Sequence, residues 1–144
     1  MDLLKETQLE KLMNKNIGNR KNIFYLSLND LDKIKNTKNI TGRSRYNLHK
    51  NFKSIIQEML INFNKNSYVK PHYFIKKHTI FRLIKGSFRI KIYEQKKVRN
   101  IYLNQKNQML IIKPKTMYDI ISLQKNSIIH ELMEGPFNNK VFKT

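Results

Sequence analysis

From about residue 43 onward the chain alternates apolar and polar positions with the period of a β-strand. Met59, Ile61 and Phe63 alternate with Leu60, Asn62 and Asn64, and successive strand side chains point to opposite faces. TIFRLI (79–84), Lys85-Gly86 and SFRIKIY (87–93) predict a hairpin. In it Phe88, Ile90 and Ile92 share one face, and Arg89, Lys91 and Tyr93 the other. EQKK (94–97) reads as a polar turn and VRNIYL (98–103) as the returning strand. Three more strands follow, QMLIIK (108–113), YDIISL (118–123) and SIIHELM (127–133). Turns at Pro114-Lys115-Thr116 and Gln124-Lys125-Asn126 separate them, and Gly135-Pro136 closes the last. Short strands at regular spacing with turn residues between them predict a mainly β fold, a barrel or sandwich.

The first 42 residues differ. Residues 2–15 predict a helix with Leu9, Leu12 and Met13 on one face. Residues 16–22 read as a loop, 23–28 as a short strand, and 29–42 as a short helix or turn plus a loop. This divides the chain into a helical and loop extension, 1–42, packing on the barrel, and the barrel itself, 43–144. The extension would cover an opening or edge and protect unpaired strand groups.

Composition narrows the chemistry. The chain of 144 residues suits one domain and has no cysteine, which excludes disulfides, thiol catalysis and thiolate-bound zinc. The segment MDLLKETQLEKLM carries Asp2, Glu6 and Glu10 and lacks the unbroken apolar core of a signal peptide. No stretch approaches the roughly 20 apolar residues that span a bilayer. The expectation is a cytoplasmic protein with no membrane insertion. The formal net charge of +19 ordinarily points to a polyanionic partner. Here it comes from 23 lysines and 6 arginines beside 18 asparagines and 19 isoleucines, the mixture of an A/T-rich coding bias. The basic residues are scattered, so nucleic acid is not the expected partner. A small anionic or sugar ligand would still feel this field.

Two segments have informative spacing. Pro71-His72-Tyr73-Phe74 is followed by four residues, Thr79, six residues and Gly86. Pro114 is followed by Thr116 and then Asp119. These match in spacing the two motifs of cupins: HxH, three or four residues, Glu, six residues, Gly; then Pro, a turn residue two later, and His five after the Pro. Further segments are Arg43-Ser44-Arg45-Tyr46-Asn47-Leu48-His49, Ser67-Tyr68-Val69-Lys70-Pro71-His72, Glu131-Leu132-Met133-Glu134-Gly135-Pro136-Phe137 and Lys140-Val141-Phe142. In this order they resemble the WbuC-type cupin family, encoded with bacterial surface-polysaccharide genes. The resemblance covers residues 43–142.

It implies a single cupin barrel, a double-stranded β-helix or jelly roll, and a role in O-antigen or lipopolysaccharide biosynthesis. It also implies a metal centre of three imidazoles and one carboxylate. The matching positions here are His72, Phe74, Thr79 and Asp119. Phe74 cannot ligate and Thr79 is a poor neutral donor, so His72 and Asp119 would be the only metal contacts. Two protein ligands fall short of the usual three or four. The expectation is a degenerate metal site: no cofactor, with a divalent transition metal disfavoured.

His72 and Asp119, if paired inside the barrel, would form an acid/base unit in which the carboxylate orients the imidazole and raises its basicity. A merely structural hydrogen bond is the blander outcome. Arg43, Arg45, Asn47 and His49 share one face of an extended segment. Guanidinium groups there could grip a phosphate or carboxylate, or the face is an exposed polar edge. The resemblance includes Arg45, Asn47 and His49 and favours them as ligand contacts. It also makes Glu131 a pocket carboxylate. Tyr73, Phe81 and Tyr118 either line the barrel and stack on a sugar or pack as ordinary core. His130 reads as a surface residue and His78 as solvated.

The leading functional reading is a protein that binds or modifies a sugar or sugar nucleotide in surface-polysaccharide synthesis, with enzymatic activity left open. The alternatives are a metal-dependent cupin enzyme with rearranged ligands, and a basic nonenzymatic module for nucleic acid or protein. A homodimer is also left open.

Overall fold

The computed structural model describes residues 27–35, 42–49, 52–136 and 142–143. One helix, α1 (Leu28–Lys35), precedes ten strands: β1 (Arg43–Asn47), β2 (Ile56–Phe63), β3 (Tyr68–Phe74), β4 (Thr79–Lys85), β5 (Phe88–Glu94), β6 (Lys97–Leu103), β7 (Met109–Ile112), β8 (Met117–Ser122), β9 (Ser127–Glu134) and β10 (Phe142–Lys143). The expected helix over 2–15, the loop over 16–22 and most of the strand over 23–28 lie outside the described residues. Leu28, assigned to that strand by pattern, begins α1 instead.

The strands form two antiparallel five-stranded sheets, in the orders β1-β2-β9-β4-β7 and β10-β3-β8-β5-β6. The inward positions are those the alternation predicts. Met59, Ile61 and Phe63 of β2 meet Phe88, Ile90 and Ile92 of β5 in one buried cluster with Phe81, Tyr118 and Ile129. The hairpin expected over residues 79–93 does not form: β4 pairs with β7 and β9, β5 pairs with β6 and β8, and the chain crosses from one sheet to the other at Gly86, whose φ of +81° suits glycine. A Cβ there would also come within 2.8 Å of the Ser127 Cα.

Leu60, expected on the outer face of β2, is buried as well. Helix α1 covers it, in a second cluster of Ile34, Tyr46, Leu60 and Ile128 on the back of the first sheet. The helix starts at a capping box. Ser27 Oγ accepts from the Asp30 amide at 3.2 Å, and Asp30 Oδ2 accepts from the Ser27 amide at 3.0 Å. Asn62 Nδ2 donates to the Ile34 carbonyl at 3.0 Å, which satisfies a carbonyl in the last turn. Among the described residues no helix is long and apolar enough to cross a membrane.

Candidate functional site

Between the sheets lies a cavity of about 660 Å³. Most of its wall is apolar, supplied by inward residues of β2, β3, β4, β8 and β9. Its polar groups come mainly from β1, β3 and β9.

β1 pairs with β2 in the register Arg43↔Phe63, Arg45↔Ile61 and Asn47↔Met59. Its odd-numbered side chains therefore lie on the inward face, as an extended segment requires. Arg43 and Arg45 both line the cavity. Burial, and then the neighbouring Arg45, pull Arg43 down to about 10, which leaves it cationic at neutral pH. Asn47 shares the face but does not line the cavity. His49 lies beyond the end of the strand. Its Nδ1 accepts from the Glu58 amide at 3.0 Å, so its ring fastens the β1–β2 pair and contributes nothing to the cavity wall.

Glu131 of β9 stands opposite Met59 of β2 and Phe81 of β4 and lines the cavity. Enclosure in the barrel raises its carboxyl to about 7, while Arg45 and Arg43 pull the other way. Solvent still reaches it through the cavity, so its side chain is half-buried. Two guanidinium groups thus face one carboxyl that changes charge near neutrality. His130, the preceding residue, points to the outer face, where Nε2 lies 2.7 Å from Glu58 Oε1. His78 pairs with Glu134 at 3.2 Å in an exposed position.

His72 also lines the cavity. Its strand partner is Tyr118, with ring centroids 4.5 Å apart. Phe74 meets the imidazole edge to face at 5.7 Å. Thr79 hydrogen-bonds the Tyr118 hydroxyl. Burial lowers the His72 pKa and raises that of Tyr118, so both rings are neutral at pH 7. The His72 Nδ1 lies 2.8 Å from the Lys70 carbonyl, which fixes the ring.

The expected pairing of His72 with Asp119 is not formed. Tyr118 and Ile120 line the cavity, so Asp119 between them projects from the other face of β8. There its Oδ2 accepts from the hydroxyls of Tyr93 at 2.6 Å and Tyr68 at 3.1 Å. Asp119 is fully buried and joins β3, β5 and β8 from behind. The inward position near His72 belongs to Tyr118, one residue before the position that counting from Pro114 selects.

The four side chains brought together are therefore His72, Phe74, Thr79 and Tyr118. They offer one imidazole, one threonine hydroxyl and one phenol held neutral by burial. This set does not fit a transition-metal cage of three or four nitrogen and oxygen donors. Among the described residues no three His, Cys, Asp or Glu side chains converge.

Gln57 lines the cavity without having been singled out, and Arg43, placed on the gripping face by its spacing but not among the contacts the resemblance favoured, lines it too. The i, i+2 spacing of Arg43 with Arg45, and of Gln57 with Met59 and Ile61, is the signal that places both inward.

The architecture is that of the cupins. KdgF from Halomonas sp. superposes with a TM-score of 0.55 and 14% identity over 72% of this chain and 87% of that one. An oxalate oxidase in complex with the substrate analogue glycolate gives 0.59 and 13%, over 75% and 57%. Oxalate decarboxylase from Bacillus subtilis gives 0.56 and 11%, over 71% and 27%. The chain thus spans most of KdgF but only about a quarter to a little over half of the two oxalate enzymes. Likeness at this identity establishes the fold and not the reaction. No curated protein matches the chain. The model of a family described as "Domain of unknown function (DUF6016)" matches residues 29–102.

Proposed function

We propose that this chain, which belongs to the DUF6016 family and has the cupin fold, uses its barrel cavity to hold a sugar or sugar nucleotide in bacterial surface-polysaccharide synthesis. The observation that carries this reading is the pair Arg43 and Arg45, on one face of β1 and lining the same cavity as Glu131. Paired guanidinium groups bind phosphate and carboxylate through charge-assisted, often bidentate hydrogen bonds. The aromatic rings of Phe81 and Tyr118 line the same space and offer faces to a sugar or a base. The polysaccharide assignment rests on the likeness of the RSRYNLH, SYVKPH and ELMEGPF segments to WbuC-type cupins.

Binding is the part this geometry supports best. Should the protein also modify its ligand, proton transfer would fall to His72, an imidazole whose pKa burial lowers, and to Glu131, whose carboxyl burial raises to about 7. Asp119, on the other face of its strand, would take no part.

Calorimetric titration with nucleotide diphosphate sugars tests the reading. Arg45→Gln should weaken binding about 10–100-fold, the loss of one charge-assisted contact. Equal affinity in wild type, Arg43→Gln and Arg45→Gln would remove the cavity as the site.

A further inference from the structure

The cavity wall and the chemistry of a bare sugar match poorly. Met59, Ile61, Phe74, Phe81, Ile120 and Met133 form most of the surface away from the two arginines. A pyranose carries a hydroxyl on nearly every carbon, and each hydroxyl taken out of water needs a partner. An apolar wall supplies none. An anion with a hydrocarbon or aromatic body has the opposite needs: its charged end requires the guanidinium groups and its body gains by leaving water. The volume, about 660 Å³, is that of a drug-sized ligand site.

We infer that the cavity selects organic anions with an apolar body, aryl or medium-chain alkyl carboxylates and phosphate esters, over anions whose body is a bare sugar. The inference rests on the cavity being the ligand site and narrows the part of the ligand that enters it. A sugar derivative would enter by an acyl or aryl end or by its base.

Glu131 then acts as a competitor for the arginines. Ionised, it occupies Arg43 and Arg45; protonated, it releases both and donates its own proton to the incoming anion. The other polar side chains lining the cavity are Gln57 from β2, Lys70 and His72 from β3, and Tyr118 from β8, while Tyr68 borders it with its hydroxyl turned away to Asp119. Burial lowers the pKa of His72 and raises that of Tyr118, away from the range in which Glu131 changes charge. With its carboxyl near 7, affinity for an anion that is itself fully ionised should rise as pH falls from 8 to 6, by up to about tenfold.

The test uses four probes on the full chain by calorimetry at pH 6 and pH 8: octanoate, 2-naphthoate, glucuronate and UDP-glucose. Octanoate and naphthoate should bind at least about tenfold tighter than glucuronate. Arg45→Gln should weaken octanoate and naphthoate binding about tenfold or more, and Glu131→Gln should keep the pH 6 affinity at pH 8. Glucuronate or UDP-glucose binding in an arginine-dependent way while octanoate and naphthoate do not would overturn the selectivity and leave the cavity reading standing. Octanoate binding unchanged in both Arg43→Gln and Arg45→Gln would be adsorption on the basic surface and would overturn the inference. No binding of any probe would overturn it together with the cavity reading.

Discussion

Tyr118 and Asp119 are neighbours on β8, both buried, and they have opposite surroundings. Tyr118 faces inward, against His72 and Phe81 and bonded to Thr79, on the wall of the cavity. Asp119 faces outward and ties the hydroxyls of Tyr68 and Tyr93 to the back of the sheet. The inward residue is placed to meet a ligand and the outward one to hold strands together. Both are buried and both carry a hydrogen-bonding group, so neither property marks function here. What separates them is which side of one strand they occupy.

This difference can be broken most forcefully from the outside. Asp119→Ala leaves two tyrosine hydroxyls without their charged acceptor and opens space in a fully buried position. It should cost about 2–4 kcal/mol in urea denaturation, while protein that stays folded binds its ligand normally. A loss below about 0.5 kcal/mol would show that Asp119 does not hold the sheet.

A smaller effect comes from Glu131. Its carboxyl ionises near 4.5 when unfolded and near 7 in the barrel. Between these values the folded protein binds more protons than the unfolded one, so stability falls as pH rises. The stabilisation is complete below pH 4.5 and lost as pH passes 7. Glutamine does not titrate, so Glu131→Gln should be the more stable protein at pH 8, by about 1–2 kcal/mol. The gap should close as the pH approaches 5. A gap independent of pH would mean that Glu131 is solvated like a surface carboxylate.

The strands were legible because one face of most of them is apolar. Phe88, Ile90 and Ile92 alternate with Arg89, Lys91 and Tyr93, and the inward set is the buried set. The same rule placed Arg43, Arg45 and Asn47 on one face. It failed on β8 for a physical reason. In MYDIIS the apolar residues fall on both faces, and Tyr118, Asp119 and Ile120 are all buried. Alternation then carries no information about which residue points inward. Counting from Pro114 cannot restore it, because Lys115 in the preceding turn takes a left-handed conformation, with φ of 64°, and a turn of that kind resets which face the strand presents. His49 was misplaced for a related reason: β1 ends at Asn47, so the parity of the strand no longer applies two residues later. Helix α1 covers Leu60, and a pattern local to β2 does not reveal a covering element some 30 residues away.

The central claim, that the site is the inward face of β8 and its surroundings and not the outward one, is tested most directly by one pair of titrations. Ligand affinity should be measured on Tyr118→Phe and Asp119→Asn beside the wild type, with any probe that binds in an arginine-dependent way. The account predicts that Tyr118→Phe changes affinity by at least about fivefold, through the lost hydroxyl and its bond to Thr79, while Asp119→Asn stays within about twofold. The opposite order, with Asp119→Asn abolishing binding and Tyr118→Phe leaving it intact, would contradict the account and move the site to the outer face of the sheet.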